Sequence, residues 1–172
     1  MYPSERRNQA TQYAFGNELA WLRNAAKDFK NAVMIGAGPG VMAMALMEGN
    51  PDLNLLVVDI DTCHYTKAHL EAENIHNVAF AVADSTTYEY KGKKLDFLLV
   101  DGNHTYMGVM KDVINWIDHV KSSGLIFFHD FEIVNDDKTN GVARAIQNVL
   151  AGKIMVADLI ASPGISKVYR KK

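Results

Sequence analysis

The sequence predicts a doubly wound α/β domain: one mostly parallel, seven-stranded sheet with helices on both faces and a C-terminal antiparallel hairpin. Three observations lead there. From residue 32 onward, apolar runs alternate with segments long enough for helices. The runs, such as "AVMI", "LLVV" and "FLLV", are continuous, as strands buried on both faces require. The last two runs are joined only by Ser162, Pro163 and Gly164, too short for a parallel crossover.

Residues 1–30 read as a helical extension and 31–172 as the domain. In the extension Ser4 can cap and Glu5 sits in the first turn. Leu19, Trp21, Leu22, Ala25, Ala26 and Phe29 recur at helical spacing, and Gly16 is a candidate break between two helices. The first strand spans 32–37. A helix over 38–50 is stopped by Gly49, Asn50 and Pro51. A second strand covers 54–60, and Thr62 caps a helix over 62–74. Strands over 77–84 and 94–101 follow. The helix over 106–120 places Tyr106, Val109, Met110, Val113, Ile117 and Val120 on one face. A fifth strand spans 124–130, a further helix 139–152, and the hairpin strands 153–161 and 164–170.

The composition narrows the function. A chain of 172 residues, 48% of them apolar, suits one domain with one core. A net charge of −2 offers no electrostatic footprint for nucleic acid. Cys63 is the single cysteine, so no internal disulfide can form, and it reads as a small core filler. The start, "MYPSERRNQ", lacks the apolar stretch of a signal peptide, and no run approaches the roughly 20 residues of a membrane span. The expectation is a soluble, cytoplasmic protein with no membrane partner.

Ligands of such sheets bind outside the carboxyl ends of the strands, and there the unusual residues gather. The first strand ends in "IGAGPG", with Gly36, Gly38 and Gly40. The loop is either a plain tight turn or a nucleoside-binding loop that lets a ligand approach the backbone. The third glycine of a dinucleotide loop would fall at Val41, which argues against a nicotinamide dehydrogenase. Asp59 ends the second strand, 19 residues after Gly40, where a carboxylate can accept from both ribose hydroxyls; Ile60 is counted with it. The alternative is that Asp59 or Asp61 caps the next helix. Asp84 and Ser85 end the third strand, placed either for an adenine amino group or for an Asx-turn. Asp101 ends the fourth strand, with His104 above it, and His129 and Asp130 end the fifth. Four ionisable groups at one edge are costly as structure alone, and a metal would relieve the repulsion between the acids.

These segments resemble class I S-adenosylmethionine-dependent methyltransferases, over roughly residues 30–170. "MIGAGPG" resembles the family's first motif, "VVDID" its ribose-binding acid and "VAD" its adenine-side acid. "LLVDGNHTYMGVMKDVINWIDHVKSSGLIFFHD" is similar to the subgroup of macrocin-type sugar O-methyltransferases and cephalosporin-hydroxylase-like proteins. The resemblance implies a Rossmann-like fold and S-adenosylmethionine as cofactor, bound by Gly36, Gly38, Gly40, Asp59, Ile60, Asp84, Ser85 and Asp101. It implies methylation of a hydroxyl on a small molecule or sugar, with Asp101 and His104 catalytic. His104 would take the hydroxyl proton, as an imidazole of ordinary pKa can. Asp101, His129 and Asp130 would hold a divalent metal. His129 stands where metal-dependent members carry a second acid, which shifts the choice from Mg²⁺ towards Mn²⁺, Fe²⁺ or Zn²⁺; the alternative is that His129 points away and hydrogen-bonds into the structure.

Two other functions fit the same residues. One is a metal-dependent oxygenase or hydrolase on this scaffold, using the two histidines and the carboxylates. The other is a catalytically idle S-adenosylmethionine-binding subunit, favoured by the hairpin's lack of room for a lid. Without a lid the acceptor pocket is shallow, or a homo-oligomer completes it. His64, His69, His76 and His119 read as solvated, and Trp21 and Trp116 as packing residues. Tyr106 either reaches the site or packs. Asp59→Ala is expected to weaken cofactor binding without disturbing the fold.

Overall fold

The computed structural model describes residues 16–132 and 141–172. The expected cap at Ser4 and the helix over 4–15 lie outside the described residues, as does the expected helix start at 139–140. Seven strands form one sheet: β1 (Asn31–Ile35), β2 (Asn54–Asp59), β3 (Val78–Val82), β4 (Leu95–Val100), β5 (Val120–Phe128), β6 (Ala157–Ala161) and β7 (Lys167–Lys171). Among the described residues, five α-helices accompany them: α1 (Gly16–Ala26), α2 (Val41–Gly49), α3 (His64–Ala72), α4 (Tyr106–Trp116) and α5 (Gly141–Ala151).

The strand order is β3-β2-β1-β4-β5-β7-β6. β1 to β5 pair in parallel, and β7 lies antiparallel between β5 and β6. The order reverses between β1 and β4, where a crevice opens beyond the strand ends. The register sets that edge: Ile35 pairs with both Val58 and Val100, and Val100 with Phe128. Gly36, Asp59, Asp101 and His129 therefore leave the sheet side by side.

Strand side chains alternate between two cores. Ala32, Met34, Leu55, Val57, Phe97, Leu99 and Phe127 meet α1, α2 and Leu70 of α3 on one face. Val33, Ile35, Val58, Leu98, Val100, Ile126 and Phe128 meet α4 and α5 on the other. Leu19, Leu22 and Ala26 put α1 into the first core, and Trp21 tilts against Phe97 and Phe127. Trp116, fully buried, stacks on Tyr88, so both tryptophans pack as expected. Cys63 is buried.

Several boundaries differ from the sequence reading. The helix expected over 106–120 ends at Trp116, so Ile117 lies in a following 3-10 turn and Val120 in β5, and β7 begins at Lys167 rather than 164. β5 begins at Val120, earlier than 124, because the chain enters through an irregular register between Leu95 and Phe97, with Ser123 at φ +69°. β6 begins at Ala157 rather than 153, after a turn in which Lys153 takes φ +54°. Thr62 does not cap α3: Cys63 precedes the helix in a left-handed conformation, and the Thr62 hydroxyl turns back to Asp61 Oδ1. Among the described residues, no helix is long and apolar enough to cross a membrane.

Candidate active site

The glycine loop is held by neighbours on both sides. Gly36 N donates to Val58 O, and Asp101 N donates to Ile35 O. A Cβ on Gly36 would lie 2.1 Å from Asp101 O, and the residue sits at φ +83°, so this position needs glycine. Gly38, at φ +48°, has open space where its Cβ would be. Thr66 of α3 donates to Gly38 O at 3.0 Å, and His69, read as solvated, contacts Pro39 O.

Asp59 is tied into this loop. Its Oδ2 accepts from Ala37 N at 2.6 Å and its Oδ1 from Asp61 N at 2.9 Å. At the end of β3, Asp84 forms the Asx-turn: Oδ1 accepts from Thr86 N at 2.9 Å and Thr86 Oγ1 at 2.7 Å. These bonds hold the Asp84 carboxyl below its ordinary range.

One crevice of about 600 Å³ joins these parts, a volume in the range of small-molecule sites. Every cofactor position named from the sequence lines it except Gly40: Gly36, Gly38, Asp59, Ile60, Asp84, Ser85 and Asp101. Gly40 instead turns the chain into α2 at φ +88°, close against Thr66.

Asp101 also belongs to a second group. Its Oδ1 lies 3.1 Å from His104 Nε2 and 2.8 Å from His129 Nδ1. His104 Nδ1 lies 3.1 Å from Asp130 Oδ2, and His129 Nδ1 3.2 Å from Asp130 Oδ1. The backbone of Asp130 adopts φ +52°, a strained value for a non-glycine residue. Thr105 starts α4 by accepting from Gly108 N, which fixes the turn carrying His104. Tyr106 leaves the cluster: its hydroxyl accepts from Asn148 of α5, and Arg144 lies over its ring.

Burial alone would raise the Asp101 carboxyl, but the two imidazoles override it and hold the group below its ordinary range. The carboxylates of Asp101 and Asp130 in turn raise His104 to about 9. Burial opposes protonation of His129, yet Asp101 and Glu18 outweigh it and raise the group to about 10. The ordinary imidazole pKa expected for His104 is therefore not what this arrangement produces. A proton on each ring is the way the bare cluster balances its acids.

A metal fits this donor set. One ligand atom from each of Asp101, His104, His129 and Asp130 lies within 4.8 Å of all the others. Both ring nitrogens of His129 are buried, and none of their close contacts is aligned as a hydrogen bond. An orphaned imidazole facing two carboxylates matches the ligand preferences of Mn²⁺, Fe²⁺ or Zn²⁺ more closely than those of Mg²⁺.

A family of methyltransferase domains matches residues 33–131. The chain belongs to this family. No curated protein matches the sequence. The methyltransferase fold extends over nearly the whole chain. A protein assigned as a caffeoyl-CoA O-methyltransferase, from Staphylococcus aureus, aligns with TM-score 0.78 and 11% identity, over 98% of this chain and 90% of that one. The methyltransferase PaMTH1 of Podospora anserina, solved with S-adenosylhomocysteine, aligns with TM-score 0.71 and 18% identity, over 95% and 85%. The N-methyltransferase NodS of Bradyrhizobium japonicum, also with S-adenosylhomocysteine, aligns with TM-score 0.65 and 14% identity, over 96% and 86%. Fold likeness at such identities spans O- and N-methylation, so it does not choose the acceptor atom.

Two residues of this candidate site escaped the sequence reading. Glu18, fully buried, reaches from α1 to within 3.6 Å of His129 Nε2, and Ser166 of the hairpin donates to its other oxygen. Asp112, 1% exposed, lies on the buried face of α4 and accepts from Ser85 Oγ at 2.6 Å. Asp112 was legible in principle, since it shares the helical face of Val109 and Val113. Glu18 carried no such signal, because only the tertiary fold brings α1 to the end of β5.

Proposed function

We propose that the protein transfers the methyl group of S-adenosylmethionine to a hydroxyl of a small molecule or sugar, with a divalent cation assisting. One observation carries the reading: the crevice from the glycine loop past Asp59 to Ser85 shares Asp101 with the Asp101–His104–His129–Asp130 cluster. Cofactor binding and proton handling thus meet at one side chain. The hydroxyl acceptor follows the resemblance of "DGNHTY" and "FFHD" to the sugar O-methyltransferase subgroup.

In this reading Gly36 and Gly38 let the methionine part approach the backbone, Asp59 holds the ribose, and Ile60, Asp84 and Ser85 flank the adenine. The acceptor oxygen attacks the methyl carbon in line. The C–O bond forms as the C–S bond breaks, the sulfonium becomes a neutral sulfide, and the hydroxyl proton passes to His104. Alignment of the pair can contribute roughly 7–11 kcal/mol. Asp101, His129 and Asp130 would hold the cation, and its positive charge would supply Lewis-acid assistance to a hydroxyl acceptor. His104 accepts a proton only when the negative charge of Asp101 and Asp130 is offset, which returns its nitrogen towards the ordinary imidazole range.

Calorimetric titration with S-adenosylmethionine and S-adenosylhomocysteine, with and without Mn²⁺, tests the reading. Binding of both, followed by Mn²⁺-stimulated methylation within a panel of hydroxyl acceptors, is expected. Absence of binding overturns it. Stoichiometric iron without S-adenosylmethionine binding would support instead the oxygenase that the paired histidines also suit.

A further inference from the structure

Asp112 is a buried carboxyl that the loop it touches does not require. Ser85 is already fixed to α4 through its carbonyl, which accepts from Asn115 Nδ2 and from Trp116 Nε1, each at 2.8 Å. Tyr88 O takes the second Asn115 hydrogen at 3.1 Å. Two neutral side chains thus anchor the β3–β4 connection. A carboxyl added to this face incurs a desolvation cost with no structural return.

Its orientation suggests what the cost serves. Oδ1 accepts from Ser85 Oγ, and among the described residues Oδ2 accepts no hydrogen bond. Oδ2 stands over Gly102, where an added Cβ would come within 3.7 Å of it, and both residues line the crevice. Ile60 and Met107, 79% and 58% exposed, present apolar side chains to the same end. Apolar side chains beside a carboxylate oxygen with no hydrogen bond among the described residues suit a flat heteroaromatic ring carrying an N–H donor on its edge. Asp84, the acid expected from sequence to meet that donor, has committed Oδ1 to Thr86 and lies in solvent.

We propose that Asp112 determines purine specificity: its Oδ2 accepts a hydrogen bond from the 6-amino group of the cofactor's adenine. This rests on the S-adenosylmethionine reading above. Ser85 fixes the rotamer, so the free oxygen faces the ring edge without a search at binding. A 6-oxo purine would set acceptor against acceptor, with a buried charge left unpaired.

Binding of S-adenosylhomocysteine and S-inosylhomocysteine to the full chain tests the assignment. The native protein is expected to prefer the adenine compound by about tenfold or more, the usual scale of a hydrogen bond to a charged group. In Asp112→Asn, Ser85 keeps the amide oxygen and leaves the NH₂ facing the ring. The preference should fall to near unity or invert, at a melting temperature no lower than that of the native protein. Should the amide fail to fold, Asp112→Ser removes the carboxylate and is expected to give the same narrowing. A folded variant that keeps the native ratio overturns the proposal, and so does a native ratio near unity. A purely structural Asp112 would weaken both ligands equally and leave the ratio unmoved, which also overturns it. If neither compound binds the native protein, the S-adenosylmethionine reading itself fails, a distinct result.

Discussion

Glu18 Oε2 lies 3.6 Å from His129 Nε2, while Nδ1 of the same ring lies 2.8 Å from Asp101 Oδ1. One imidazole therefore joins α1 to the crevice. Removing one partner of a buried ion pair typically costs about 3–5 kcal/mol, because the other charge stays buried. Glu18→Ala should lose stability on that scale in urea denaturation, and Glu18→Gln less. Partners behind metal-ligating histidines typically set affinity by about 10–100-fold. Mn²⁺ titration of Glu18→Gln should show a loss in that range.

His104→Ala should keep the dissociation constant for S-adenosylhomocysteine and lose about 10²–10⁴-fold in turnover on the true acceptor. Normal turnover in this variant would remove the proton-acceptor assignment. Single-turnover methyl transfer is the measurement that isolates the step.

Gly36 and Gly38 should separate folding from binding. Alanine at 36 meets the Asp101 backbone and a left-handed φ together, a loss of at least about 2 kcal/mol in thermal or urea unfolding. Alanine at 38 has room, so the fold should persist with only the roughly 1–2 kcal/mol left-handed penalty. Its methyl group enters the crevice, and S-adenosylhomocysteine should bind about tenfold more weakly or worse.

Asp59→Ala should weaken cofactor binding, but the fold will not be untouched as the sequence alone suggested. Both carboxylate oxygens already hold backbone N–H groups, of Ala37 and Asp61. Their loss should lower unfolding free energy by roughly 1–3 kcal/mol. Asp59→Asn, which keeps one acceptor, should fall between, and paired calorimetry and chemical denaturation distinguish the two effects.

Asp112 makes stability depend on pH. Burial raises its carboxyl to about 6, Asp84 adds to the rise, and the Ser85 hydroxyl opposes it. The folded chain therefore holds this proton more tightly than the unfolded chain. The resulting stabilisation is complete below the ordinary carboxyl range and is lost as pH rises through about 6. The whole change amounts to about 3 kcal/mol. Asp112→Asn should flatten that decline and be the more stable protein at pH 7.5, as urea midpoints across the acid range would reveal.

The sheet was legible in the sequence because strands buried on both faces leave continuous apolar runs. The strand ends were legible because a glycine or a charge interrupts such a run abruptly, as at Gly36, Asp59, Asp101 and His129. Local conformation was less so. Cys63, Ser123, Asp130 and Lys153 all take positive φ without a glycine to announce it, and the misplaced starts of α3, β5 and β6 adjoin three of them. Charge state was hidden as well: His104 looked like an ordinary imidazole until folding set it between two acids.

The hydrogen bond from Ser166 to Glu18 closes the chain's last hairpin onto its first described helix. A growing polypeptide emerges from the ribosome N-terminus first, so Glu18 is synthesised long before the hydroxyl that fixes it. Until Ser166 has emerged and the hairpin has docked, His129 lacks a settled neighbour on its Nε2 side. Ribosome-bound or prematurely terminated chains would therefore carry all the crevice residues and still lack the hydroxyl that fixes Glu18 beside His129.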